Sequence, residues 1–452
     1  MSNHHHPHRQ ENGAGKSISV LHWASVILPR PVVMAILMGV AIVLCALFRQ
    51  MYNSMEWDDM SLLGAPFYTM KHAVAVGFFS AAVWGVCLSA GGIFWMLLSR
   101  VVGAHWSGGV RRMWENIGVA GMSAWLCLFC VVGCMMSLLF PWADVMRQLM
   151  PETMWQWDDE ARVSVLMSHG LDVLAGRSWF VNMPFFFLRE FSYAAILLIV
   201  AISWRKVSIK MDVERDSSRG ALSEKRIRTG SALVLPLVVV IIGMMGIDWA
   251  ATCAQDWIPS MFPLAFLSYC AVLGLAASIL LSGCFVSRCH ESLTGFEHGR
   301  LGGLLLAALM FKVYLWYSQY MLIWYAGIPV EGAFYAIRMS GDWLFIAQFC
   351  TWGNLVLLVS LLLPKVRHSR HLMTIVALGL VLLGGLEAYW MLGPVMRVTQ
   401  PFGVSGVVLV ASILVVAFLM GVQLFSLMGK NRIYALNAHQ EPSTRGGDQN
   451  GY

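Results

Sequence analysis

Apolar residues in this 452-residue chain recur in runs of roughly 20, each long enough to cross about 30 Å of hydrocarbon as a helix. A chain segment in lipid must satisfy its own backbone polar groups, which leaves helices or closed barrels. A barrel needs short segments of alternating polarity, and these runs do not alternate. Composition agrees: 58% of residues are hydrophobic and 12% are charged, against about 25% charged in soluble domains. A chain this poor in charge cannot cover itself with a water-facing surface. An ordinary soluble enzyme, a nucleic-acid-binding protein and a disordered chain are thereby excluded. The expected fold class is an all-α polytopic membrane protein.

The runs predict about ten transmembrane helices, at 31–49, 72–98, 117–140, 180–204, 229–248, 258–286, 302–325, 342–364, 371–391 and 400–428. The domain plan is a polar N-terminal tail over 1–30, a ten-helix membrane domain over 31–428 and a polar C-terminal tail over 429–452. The N-terminal tail, with His4, His5, His6 and His8, has no short apolar core or small-residue cleavage site, so no cleavage is expected.

Basic residues set the orientation. Arg100, Arg111 and Arg112 fall in one connection, Arg205, Lys206, Lys210, Lys225, Arg226 and Arg228 in another, and Lys365, Arg367 and Arg370 in a third. The alternate connections are poor in bases, and 141–179 carries Asp144, Glu152, Asp158, Asp159, Glu160 and Asp172. Every even-numbered span therefore ends on the basic side. Both termini are expected to be cytoplasmic in a multi-pass protein, with the acidic loops outside.

Ten cysteines include the run Cys127, Cys130, Cys134. It lies inside an apolar span, where thiolates are costly and small buried thiols pack well. No cysteine pair is followed by His in the haem-attachment pattern, so no haem, cluster or other metal is expected in this chain.

An ionisable group at bilayer depth is costly, which makes it a functional candidate. Arg189 and Glu190 lie near the middle of the fourth span. Lys312, Trp316 and Gln319 recur at i, i+4 and i+7 in the seventh, so they share one face. Tyr317 and Ser318 add hydroxyls there. Glu387 falls within apolar sequence near the end of the ninth span. Asp248, Asp256, Glu331 and Asp342 fall at helix ends, Arg338 and Arg397 are nearby bases, and His72 opens the second span. Solvated helix-end charges are one reading of the helix-end acids, Asp342 in particular as a first-turn acid. A polar funnel leading toward mid-membrane is the other.

The stretch Tyr317-Ser318-Gln319-Tyr320-Met321-Leu322-Ile323-Trp324-Tyr325-Ala326-Gly327-Ile328-Pro329 resembles the signature F-S-Q-[FY]-[ML]-L-I-W-Y-[AG]-N-[IL]-P-E-E of ActF, a membrane subunit of bacterial alternative complex III. Asp248-Trp249 followed by Trp257, Ser260 and Phe262, the segment Phe185 to Glu190, and Leu386-Glu387-Ala388-Tyr389-Trp390 with Pro394 are similar to that family too. Gly327 stands where the family has Asn, Val330 replaces the first acid of Pro-Glu-Glu, and Glu387 replaces an Asp.

The resemblance implies an NrfD/PsrC-like fold: two four-helix bundles, helices two to five and six to nine, with two peripheral helices. It implies a quinol-oxidising respiratory complex. Haem c and iron–sulfur clusters would then sit in partner subunits, a multihaem cytochrome and an iron–sulfur protein. A paralogous ActC-type membrane subunit would be a further partner, and this chain would have no cofactor of its own.

The expected role is proton transfer, with Glu387, Glu331, Asp248 and Asp342 as outer candidates and Glu190, Arg189 and Lys312 as midplane candidates. Tyr317, Ser318 and Gln319 are the linking groups. The rival readings are a quinone-binding anchor like the polysulfide reductase membrane subunit, using His72 or Arg189, an independent secondary transporter, and a purely structural subunit. The bilayer is the common partner in all of them, and nucleic acid is a partner in none.

Overall fold

The computed structural model describes residue 39 and residues 65–104, 107–149, 155, 159–169, 171–213, 218–253, 261–285, 295–327, 329–394, 396, 398 and 401–428. The first expected span apart from residue 39, both tails, Asp256 and Arg397 lie outside the described residues.

The described residues form helices and turns without strands. In chain order the helices are α1 (Ala65–Val102), α2 (Gly108–Leu139), α3 (Pro141–Leu149), α4 (Asp159–Ser168), α5 (Asp172–Ala175), α6 (Met183–Val213) and α7 (Ser218–Gly246), which runs into a π-helical turn at Ile247–Ala251. They continue with α8 (Phe262–Phe285), α9 (Gly295–Ala326), α10 (Pro329–Arg338), α11 (Trp343–Leu362), α12 (Pro364–His368), α13 (Arg370–Leu392) and α14 (Val404–Met428). Among the described residues, nine of these (α1, α2, α6, α7, α8, α9, α11, α13 and α14) are long and apolar enough to cross a membrane. They correspond to the second to tenth expected spans, and the chain is an all-α polytopic membrane protein.

Several helices overrun their apolar cores at the basic end. The seventh expected span begins at 302, whereas α9 begins at Gly295, and α7 begins at Ser218 rather than 229. A helix already formed across the bilayer is extended cheaply by Lys, Arg and Glu, which are good helix formers in water. The hydropathy window ends where the lipid ends; the hydrogen-bond ladder does not.

The long helices pack in two four-membered rings. In the first, α1 contacts α2, α2 contacts α6, α6 contacts α7, and α7 returns to α1. In the second, α8 contacts α9, α9 contacts α11, α11 contacts α13, and α13 returns to α8. These are the two bundles expected for helices two to five and six to nine. The rings are joined through α1 and α8, the two most enclosed spans, and α14 lies against α1 and α2.

Small residues make that joint. Gly91 of α1 and Gly274 of α8 meet backbone to backbone, and a Cβ on either would collide with the facing main chain. Without a hydrophobic drive between helices in lipid, such close van der Waals approach is a principal source of association. Buried indoles reinforce the packing: Trp95 donates to the carbonyl of Ala271 at 2.7 Å, and Trp84 to that of Val381 at 3.0 Å.

The basic end is closed by charge. Arg100 and Arg112 both donate to Glu115, at 3.3 and 2.6 Å, and Arg112 also pairs with Asp212. Arg100, Arg112 and Glu115 are buried, so bases that mark a connection in the sequence are here a lock between α1, α2 and α6.

Candidate functional site

Besides the Arg100–Arg112–Glu115 lock, the described residues form a buried ionic centre inside each ring. In the first ring, Arg189 on α6 reaches Asp248, which the π-helical turn after α7 presents to the bundle interior. The guanidinium donates to both carboxylate oxygens, at 2.6 and 3.1 Å, and to the carbonyl of Phe180 at 2.8 Å. Tyr193 donates its hydroxyl proton to Asp248 at 3.0 Å. The Arg189 guanidinium also lies 3.9 Å from the ring centre of Phe180, a cation–π geometry.

Glu190 points elsewhere, as adjacent helical residues must. It accepts from the indole of Trp249 at 3.0 Å, and its second oxygen is buried with no hydrogen-bond partner among the described residues. The helix-end reading of Asp248 as a solvated acid is not what the fold does with it: it is fully enclosed. Extra residues accommodated in a π turn are a recurring way to aim a functional side chain inward.

The second centre is built by α9, α11 and α13. Lys312 stands midway along its span and is 5% exposed. Its ammonium donates to the two oxygens of Glu387 at 2.6 and 2.8 Å and to Asn354 at 3.1 Å. The Asn354 amide donates back to Glu387 and to the carbonyl of Cys350 at 2.7 Å, which closes a three-membered network. Tyr269 of α8 lies 5.6 Å from the ammonium, and its hydroxyl is tied to the carbonyl of Gly384 at 2.7 Å. Asn354 was not among the candidates from sequence, although a lone amide in the apolar run 353–363 was the signal available.

This network forms the floor of a cavity of about 460 Å³. Its walls are aromatic, with Trp316, Tyr320, Tyr335 and Trp390 around it. The indole N–H of Trp316 and the hydroxyl of Tyr335 are buried without hydrogen-bond partners among the described residues.

The remaining candidates separate by position. Gln319 is buried on the Lys312 face, with both amide atoms unpartnered among the described residues. Tyr317 turns outward, 61% exposed, and Ser318 is half-buried. Glu331 lies in the first turn of α10, half-buried, Asp342 is exposed before α11, and His72 is buried near the start of α1.

Arg338 ends α10 with no exposed surface. It donates to the carbonyls of Phe334 and Met391 at 2.7 and 2.6 Å. Burial pulls its guanidinium down to about 9, still charged at neutral pH, and pushes the neighbouring Tyr335 phenol up.

Packed rings lie between the two centres. Trp249 meets Phe266 at 6.1 Å, and Phe266 meets Tyr269 at 6.0 Å. Glu190 is hydrogen-bonded to the first of these rings, and Lys312 lies over the last. Among the described residues, no group of three or more His, Cys, Asp or Glu side chains is placed to hold a metal ion. Compared with models of known protein families and with curated proteins, the chain matches none.

Proposed function

We propose that this chain is an integral membrane subunit of a quinol-oxidising respiratory complex in the bacterial inner membrane, and that it carries protons between the outer aqueous face and the second ring. The observation that carries the reading is the Lys312–Glu387–Asn354 network, a titratable pair held at membrane depth on the floor of a cavity. The resemblance of 317–329 and of the Glu387 segment to ActF supports the assignment to such a complex, whose haem and iron–sulfur groups belong to partner chains.

The chemistry follows from the geometry. Glu387 and Lys312 together are neutral, so the pair costs far less in lipid than either charge alone. A proton delivered to Glu387 cancels the carboxylate and leaves the ammonium held by Asn354 and the face of Tyr269. Glu331 and Tyr335 stand at i and i+4 on α10, so one helical face leads from the half-buried acid to the cavity wall. Gln319, two turns along the same face of α9 and with its amide unpartnered among the described residues, supplies donors and an acceptor for bridging water. Arg189, Asp248 and Glu190 form the corresponding centre of the first ring.

The test is Glu387→Gln and Glu331→Gln in the assembled complex, reconstituted into vesicles. Proton release per quinol oxidised should fall in both variants while the complex still assembles. Quinol oxidation and proton release both unchanged would remove these residues from the route.

A further inference from the structure

We infer that the basic end of the second ring is a binding site for the head of an anionic phospholipid, one whose phosphate is accompanied by no cation. The site shares no residue with the proposed proton route.

The two rings end differently on their basic sides. In the first, Arg100 and Arg112 have Glu115 and Asp212 as internal counter-charges. In the second, the connection through α12 carries Lys365, Arg367, His368, Arg370 and His371, and the sequence has no Asp or Glu anywhere from 343 to 386. Among the described residues, Lys365, Arg367 and Arg370 make no ion pair. Arg370 is engaged by a carbonyl, donating to Gly283 at 2.6 Å near the end of α8. Lys365 and Arg367 are left with charge and no acid to receive it.

Packing holds Arg367 in place. α12 meets the start of α9 where Gly302 faces Arg367 and Gly299 faces His368, and a Cβ on these glycines would crowd those side chains at 2.9 and 2.6 Å. Arg367 is half-buried in this crease, and its Nε–H is buried with no hydrogen-bond partner among the described residues. A guanidinium is a planar fork of donors that matches the oxygens of a phosphate. Lys365 and His368 stand at i and i+3 on α12, both exposed, and add a second cation and a polar ring beside the crease.

The surroundings say which phosphate. Leu362 and Leu363 just before these bases, and Leu372 and Ile375 just after them on α13, are 42% to 64% exposed. Bases and bare aliphatic side chains share one short stretch at the ends of two spans. A molecule that satisfies both has a phosphate joined to hydrocarbon, and a phospholipid at the membrane surface is such a molecule. Free phosphate would meet the bases alone.

The head group is selected by what the crease lacks. A choline or ethanolamine head brings its own cation among bases with no carboxylate to receive it. A head of phosphate and hydroxyl groups avoids that repulsion and leaves the full negative charge for Lys365 and Arg367.

Native mass spectrometry of the full chain, released from detergent micelles, tests this by counting bound lipids during titration with phosphatidylglycerol or phosphatidylethanolamine of identical tails. The wild-type chain should take up a first phosphatidylglycerol well before any phosphatidylethanolamine. Lys365→Gln with Arg367→Gln should weaken that first uptake by about thirtyfold, and Lys365→Gln alone, at an exposed residue, by about fivefold. Lys206→Gln with Lys210→Gln removes the same charge from exposed positions on α6 and should leave it unchanged.

Phosphatidylethanolamine taken up as tightly as phosphatidylglycerol overturns the inference, as does equal weakening by the α6 pair. So does phosphatidylglycerol uptake that the Lys365–Arg367 double variant leaves intact. Displacement of the lipid by inorganic phosphate overturns it too, because the crease would then be a site for the free anion.

Discussion

Removing one member of the Lys312–Glu387 pair should cost more than removing both. At the observed 2.6 Å, two unit charges attract by about 6 kcal/mol at an effective dielectric of about 20, a gross figure from which desolvation must be subtracted. In Glu387→Leu the ammonium keeps the Asn354 carbonyl oxygen and little else, and breaking a buried pair in this way costs about 3–5 kcal/mol. In Lys312→Met the carboxylate keeps only the Asn354 amide, with a similar loss. The double variant Lys312→Met with Glu387→Leu buries no charge at all.

Unfolding in mixed micelles titrated with dodecyl sulfate and followed by tryptophan fluorescence gives all four free energies. The double variant should be more stable than either single one, with a coupling of about 2–3 kcal/mol. Neutral hydrogen bonds between membrane helices average about 0.6 kcal/mol, so a coupling that large identifies an ion pair and not a generic polar contact. Additive losses, with coupling below about 0.5 kcal/mol, would refute the claim that the pair is held as charges.

Other outcomes follow from the same geometry. Asp248→Asn should cost about 3–5 kcal/mol by leaving Arg189 buried without its carboxylate, whereas Tyr193→Phe should cost about 1 kcal/mol; the same titration measures both. Gly91→Ala and Gly274→Ala should abolish a monodisperse peak on size exclusion, while Gly133→Ala, with open space at its Cβ, should stay within about 0.5 kcal/mol of the parent. Arg338→Lys should lose about 2 kcal/mol despite keeping the charge, because one ammonium cannot span the carbonyls of Phe334 and Met391 as the guanidinium fork does. Cysteines placed at Ser340 and Ser369 should react from opposite sides with a membrane-impermeant thiol reagent in intact cells, the first freely and the second only after permeabilisation; the reverse order would invert the expected topology and equal reaction would break it.

The second to tenth spans were legible in the sequence because hydropathy over about 20 residues is a local property. So was the singling out of Arg189, Glu190, Lys312 and Glu387, since a charge inside an apolar run stands out by itself. Pairing was not legible. Lys312 and Glu387 are 75 positions apart, and nothing in either neighbourhood names the other. Arg189 meets Asp248, 59 positions away, in a π turn, and no composition window reports such a turn. Arg100 and Arg112 were legible as connection residues. Their burial on Glu115 was not, because it depends on three helix ends meeting. Asn354 escaped because a neutral amide in a span is less conspicuous than a charge.

The meeting of Gly91 and Gly274 bears on how any transport through this chain must work. Alternating access asks one bundle to swing against another about a fixed site. Here the two bundles touch main chain to main chain at their centre, and the indole of Trp95, donating to Ala271, fastens α1 to α8 a turn away. A hinge through that seam would have to part backbones that have nothing between them to yield. If the chain carries protons as proposed, such a frame leaves that movement to water and side-chain rotation inside a stationary scaffold.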